Sequence, residues 1–128
     1  MSSFVLDASA MLAVINAEPG SDKLTTELLA RAAFSAVNLA EVQTKLVSWG
    51  WDPDEAWGDA IGTVAEIVPF TADQARMTGN LAQDTRPLGL SLGDRACLAL
   101  GIARHCPIYT ADRSWKKLKL RIPIHVIR

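Results

Sequence analysis

The chain has 128 residues, about the size of one domain, and 49% of them are hydrophobic, enough for a packed core and too many for a disordered chain. No apolar run approaches the ~20 residues of a membrane span, and no basic stretch leads into an apolar segment and a cleavage site at the N-terminus, so the expectation is one soluble, cytoplasmic domain over residues 1–128. The net charge of −1 hides an asymmetry: residues 1–64 carry three Lys/Arg against nine Asp/Glu, giving −6, whereas residues 65–128 carry ten against five, giving +5.

Phe4-Val5-Leu6 is apolar without alternation, the pattern of a short strand buried on both faces. Asp7 follows where that strand gives way to a helix over Ala8 to Ala17, with Met11, Leu12 and Ile15 on one face. Glu18-Pro19-Gly20-Ser21 breaks the helix, and Asp22 to Ala32 reads as a second one with Leu24, Leu28 and Leu29 turned inward. Ala33 to Val37 is a small-residue strand, after which Asn38 opens a helix ending near Trp49-Gly50. Asp52-Pro53-Asp54-Glu55 is a strong helix start, and that helix carries Trp57, Ile61 and Val64. Trp49, Trp51 and Trp57 around this turn read first as core packing, with a partner-binding surface as the other reading.

Glu66 to Phe70 is a third strand, followed by a helix from Thr71 to about Thr85 and a loop over Arg86 to Leu90. Ser91 starts the most apolar helix, Leu92 to Arg104, which belongs in the centre of the domain. Cys97 and Cys106 are expected in one helical stretch, ~13 Å apart at 1.5 Å per residue, too far for a disulfide. Pro107 to Thr110 is a fourth strand, Asp112 starts a short helix, and Pro123 to Ile127 closes the chain as a strand. Strands alternating with helices predict one α/β domain: a mostly parallel sheet covered on both faces, in three α/β/α layers.

Four acids stand at element boundaries. Asp7 and Asp112 each follow an apolar strand, Glu41 lies three residues after Asn38, and Asp94 lies three residues after Ser91. Each can be read as a helix cap or first-turn acid, worth ~0.3–1 kcal/mol through the helix dipole. Thr71-x-x-Gln74 starts a helix at the same spacing with a neutral partner, so capping here does not require a carboxylate. Ligands bind outside the carboxyl ends of parallel strands, where such acids would converge. Converging carboxylates repel one another unless a proton or a cation intervenes. An oxygen-only ligand set suits Mg²⁺ or Mn²⁺. His105 and His125 are not spaced as a zinc pair, and no Cys cluster or Gly-rich phosphate loop is present. The segment Arg113-Ser114-Trp115-Lys116-Lys117-Leu118-Lys119-Leu120-Arg121 is either a solvated basic face or a grip for a phosphate backbone with Trp115 stacking on a base. Acids holding a divalent metal beside a basic segment point to a metal-dependent nuclease or phosphatase.

Val5-Leu6-Asp7-Ala8-Ser9-Ala10, Asn38-Leu39-Ala40-Glu41-Val42, Leu90-Ser91-Leu92-Gly93-Asp94-Arg95-Ala96-Cys97-Leu98-Ala99-Leu100 and Tyr109-Thr110-Ala111-Asp112-Arg113-Ser114-Trp115 occur in an order and spacing that resembles the PIN-domain ribonucleases. More narrowly, the chain resembles the VapC toxins of bacterial type II toxin–antitoxin pairs. The resemblance implies an α/β/α fold with Asp7, Glu41, Asp94 and Asp112 as catalytic acids holding Mg²⁺ or Mn²⁺. It further implies endonucleolytic cleavage of a structured tRNA or ribosomal RNA, arrest of translation, a cognate VapB-type antitoxin and a homodimer. Ser9 and Thr110 match positions where the family often has a hydroxyl beside the metal, and both also fit local caps. Arg95 and Arg113, next to site acids, fit either phosphate contacts or ion pairs that shape the cluster. Some relatives have another acid where this chain has Ser114, which leaves one metal or two open. The alternatives are a small metal-dependent phosphohydrolase and a non-catalytic module that binds RNA or an antitoxin.

Overall fold

The computed structural model describes residues 2–128. Five short strands, β1 (Phe4–Leu6), β2 (Ala32–Ser35), β3 (Glu66–Val68), β4 (Ile108–Thr110) and β5 (Ile124–Val126), form one sheet in the order β3-β2-β1-β4-β5. Every pairing is parallel. The connecting helices are α1 (Ala8–Ile15), α2 (Thr26–Leu29), α3 (Ala36–Ser48), α4 (Pro53–Thr63), α5 (Ala72–Asn80), α6 (Ala82–Thr85) and α7 (Leu92–Arg104).

Strand alternation divides the core in two. Phe4, Leu6, Ala32 and Phe34 pack on one side with Met11 and Leu12 of α1, Leu39, Val42 and Leu46 of α3, and Ala56 and Ala60 of α4. Val5, Ala33 and Ile108 face the other side, against Cys97, Leu98 and Leu100 of α7. All three residues of β1 are buried, as a strand between two helical layers requires. The fold is thus a three-layer α/β/α sandwich.

The strand order places the site. From the central β1 the chain steps to β2 and β3 on one side, then crosses to β4 and β5 on the other. The switch point lies between β1 and β4, and ligands bind outside the carboxyl ends of strands there. Asp7 follows β1, and Ala111-Asp112 follows β4.

Several expected elements differ, each for a local reason. The helix expected over Asp22 to Ala32 is a 3₁₀ turn (Ser21–Lys23) and the short α2, because Leu24 dives into the core and the Thr25 hydroxyl accepts from Leu28 N to restart the helix. Ala32 belongs to β2, which ends at Ser35 rather than Val37. Ser35 then caps α3 by accepting from Val37 N, so Asn38 lies inside the helix and does not open it. Pro69 follows the last residue of β3, Val68, so that strand stops short of Phe70. The helix expected from Thr71 to Thr85 is split at Leu81, after Gly79 and Asn80, two weak helix formers. His105 ends α7 in a left-handed conformation (φ 52°), leaving Cys106 outside the helix that holds Cys97. Both cysteines are free.

The tryptophans correct the core reading. Trp49 is 54% and Trp57 46% exposed, and only Trp51 packs partly against the core. α4 buries Ala56 and Ala60, which turns Trp57 and Ile61 outward. Asp52 does cap α4, accepting from Asp54 N and Glu55 N, with Pro53 in the first turn. No helix among the described residues is long and apolar enough to cross a membrane.

Candidate functional site

Asp7 is 3% exposed and caps α1, with Oδ1 accepting from Ala10 N at 2.8 Å. The Ser9 hydroxyl donates to the same carboxylate at 2.8 and 2.9 Å, and Thr110 Oγ1 donates to Oδ2 at 2.5 Å. Burial pushes the Asp7 carboxyl up to about 6; the hydrogen bonds from Thr110, Ala10 and Ser9 oppose the shift, and the charge of Asp94 adds to it. The cap and the buried cluster are therefore one arrangement. A carboxylate needed only as a cap would sit in water, where ionisation is easy.

Ser9 and Thr110 tie the two strand ends together. Ser9 Oγ accepts from Ala111 N at 3.0 Å, and Thr110 Oγ1 accepts from Asp112 N at 3.0 Å while donating to Asp7. The hydroxyl pair thus fixes the turn after β4 against the turn after β1. Asp112 caps the following 3₁₀ helix (Arg113–Lys117), its Oδ1 accepting from Ser114 N and Ser114 Oγ.

Asp94 enters from α7. It forms a reciprocal cap with Ser91: Asp94 N donates to Ser91 Oγ and Ser91 N to Asp94 Oδ2. Glu41 enters from α3, its Oε1 accepting from Asn38 Nδ2 at 2.8 Å. One group reports on all three acids. The thiol of Cys97, one turn into α7, is pushed well up by burial and then by the charges of Asp7, Asp94 and Glu41 in turn.

No group of three His, Cys, Asp or Glu among the described residues stands close enough to enclose an ion as the side chains lie. The donor set nevertheless suits a hard cation: Asp7, Asp94 and Glu41 offer oxygen alone, within electrostatic reach of one thiol. Among the described residues no Lys or Arg forms an ion pair with any of them. Mg²⁺ and Mn²⁺ keep much of their water and need few protein ligands, so carboxylates spaced wider than a closed shell fit them. Asp112 joins only through Thr110.

The two arginines considered beside the acids point elsewhere. Arg95 Nη1 donates to the carbonyl of Thr78 at 2.9 Å, tying α7 to α5. Arg113 Nε donates to the Arg128 carbonyl at 2.9 Å, and both arginines line a cavity of about 590 Å³ with Ser9 and Asp112. In the basic segment, Trp115 is 1% exposed and packs under α7, which removes the base-stacking reading, whereas Lys116, Lys117, Lys119 and Arg121 face solvent.

Sequence reasoning missed two residues. Asn38 does not cap its helix; it reaches across to α7 and donates to the Gly93 carbonyl at 3.0 Å as well as to Glu41. Gly93 stands directly against the Glu41 carboxylate. An Asn three residues ahead of one site acid, and a Gly just before another, were the available signals.

Solved structures share this fold. A VapBC2 complex from Rickettsia felis bound to promoter DNA matches with a TM-score of 0.74 and 23% identity, over 98% of each chain. A DNA-bound VapBC from Salmonella typhimurium matches at 0.75 and 16%, over 100% of each. VapC20 from Mycobacterium tuberculosis, described as a sarcin-ricin loop cleaving toxin, matches at 0.75 and 19%, over 94% of this chain and 100% of that one. No curated protein sequence matches the chain. The family model of the PIN domain matches residues 4–120, a span that takes in all four boundary acids. With that match over nearly its whole length, the chain belongs to the PIN domain family.

Proposed function

We propose that the protein is an endoribonuclease dependent on Mg²⁺ or Mn²⁺, the toxin of a type II toxin–antitoxin pair, which hydrolyses phosphodiester bonds in a structured tRNA or ribosomal RNA and so arrests translation. The observation that carries this reading is the buried carboxylate of Asp7 at the switch point of a parallel sheet, held by Ser9 and Thr110, while among the described residues no Lys or Arg pairs with Asp7, Asp94 or Glu41. Membership of the PIN domain family supports it, as does the likeness to VapBC complexes and to VapC20. The same likeness supports a VapB-type antitoxin as partner, a homodimer and a cytoplasmic location.

In this reading Asp7, Glu41 and Asp94 hold the cation, with Asp112 as a fourth acid at the rim. A divalent cation supplies Lewis-acid polarisation of the phosphodiester and makes water a better nucleophile near neutral pH. The chain's own contribution is position. Ser9 and Thr110 hold both oxygens of Asp7, and the Ser91 cap holds one oxygen of Asp94 and leaves the other for a ligand. The exposed lysines after β4 place positive charge along a path for RNA phosphates.

The test is cleavage of total bacterial RNA by purified, antitoxin-free protein, with and without Mg²⁺ or Mn²⁺, beside Asp7→Asn and Asp94→Asn. Discrete new 5′ ends that need the metal and vanish in both variants are expected. Turnover of a chromogenic phosphate ester with RNA left intact would replace this reading by a phosphohydrolase. Folded protein that cuts nothing with either metal would leave a binding module.

A further inference from the structure

We infer that Asn38 and Gly93 are positioning residues for Glu41: together they form a seat between α3 and the first turn of α7 that fixes where this carboxylate points. The inference rests on the metal-nuclease reading for its purpose, and on geometry alone for its existence.

Gly93 is buried, and its backbone does not need glycine, since it is not among the residues of positive φ. In a helix an alanine would be favoured over glycine there on conformational grounds. Space explains the glycine. A Cβ built on Gly93 would overlap Oε1, Cδ and Oε2 of Glu41, so the carboxylate occupies the volume a side chain would need. Gly58, Gly62 and Gly79, in other helices, would meet nothing within 4 Å. Gly101, later in α7, is also crowded, but by the apolar Ile108 and Ile122; at Gly93 the crowding group is the acid.

Asn38 supplies the other half. It is 1% exposed, and one amide nitrogen donates both to Glu41 Oε1 and to the Gly93 carbonyl, bridging the two helices at the carboxylate. Its Oδ1 is buried without a protein partner among the described residues. An amide oxygen so placed weakens the fold relative to an apolar residue of the same shape. The side chain is therefore retained for its donor. The positive end of α7 faces the same carboxylate and reinforces the placement.

Gly93→Ala and Asn38→Leu test this, each made with Glu41 present and in a Glu41→Ala background. Mn²⁺ binding is followed by calorimetry, and melting temperature is followed in chelator. The three atoms nearest the added methyl group all belong to the flexible end of Glu41, and leucine shares the branched four-atom framework of asparagine, so both variants are expected to fold. Each should weaken Mn²⁺ binding at least about tenfold, the size seen when groups that orient metal ligands are lost. Neither should weaken it further once Glu41 is Ala. In chelator, Gly93→Ala should raise the melting temperature more in the Glu41→Ala protein than beside Glu41. Wild-type Mn²⁺ affinity in Gly93→Ala, with Glu41→Ala clearly weakened, would overturn the seat, as would additive melting shifts. If the unmutated protein binds no Mn²⁺, the metal reading is what fails, and the melting shifts still decide whether Gly93 and Glu41 are coupled.

Discussion

The two ends of α7 treat carboxylates in opposite ways. At its last turn Arg104 meets Glu66, at the start of β3, through Nη1 at 2.6 Å and Nη2 at 3.1 Å, and Ser2 Oγ adds a third bond. The Arg104 guanidinium and the Ser2 hydroxyl hold the Glu66 carboxyl down to about 2. Toward its first turn Asp94, Asp7 and Glu41 have no ion-pair partner among the described residues, and burial drives the Asp7 carboxyl up to about 6. One end satisfies its charge within the chain. The other leaves its acids without an ion-pair partner among the described residues, at the carboxyl edge of a parallel sheet, where ligands commonly bind and charge is often held at the expense of stability.

Asp7→Asn probes this contrast most strongly. It removes a charge from the cluster and should lower RNA cleavage by more than about a hundredfold, measured with saturating Mg²⁺. In chelator at neutral pH it should raise the melting temperature, because the native protein no longer carries an ionised carboxylate in a buried position. A variant both inactive and less stable would show that the Asp7 hydrogen bonds matter more to the fold than its burial. Asp94→Asn separates the two roles of its position. The amide oxygen can still accept from Ser91 N, so stability should change by less than about 0.5 kcal/mol while cleavage is lost.

How far the sequence disclosed this depends on how local each signal was. β1, the Asp52-Pro53 helix start and the Ser91–Asp94 cap were all legible, because each is decided by neighbours within a few residues. The place of Asp7, between a buried strand and the helix it caps, was legible because the apolar strand runs straight into it. Trp49 and Trp57 were misread because residue type argues for burial, while the rotation of α4 is set by Ala56 and Ala60 packing on the sheet side. Asn38 was misread because its spacing to Glu41 imitates a cap, and its actual partner, Gly93, is 55 positions away. Trp57→Ser checks the corrected placement: it should alter stability by less than about 1 kcal/mol, whereas Leu6→Ala, in the sealed core, should cost about 2–5 kcal/mol by denaturant titration.

The paired end of α7 predicts the smallest effect and one with a definite sign. The Glu66 carboxyl titrates near 2 in the fold and near 4.5 unfolded, so the unfolded chain binds more protons between those values. The pair's contribution is therefore complete above about pH 4.5 and disappears as the pH falls toward 2. Arg104 and Glu66 are each more than a third exposed, so water and salt screen them, and the contribution stays below about 1 kcal/mol. Arg104→Gln should lower the melting temperature slightly at pH 7, less so in 1 M salt, and leave RNA cleavage unchanged. At pH 2.5 the variant and the parent should melt closer together than at pH 7. If the gap instead widens in acid, Arg104 stabilises the end of α7 through its stem or the last helical carbonyls and not through Glu66. The contrast between the two ends of α7 would then rest on the unpaired acids alone.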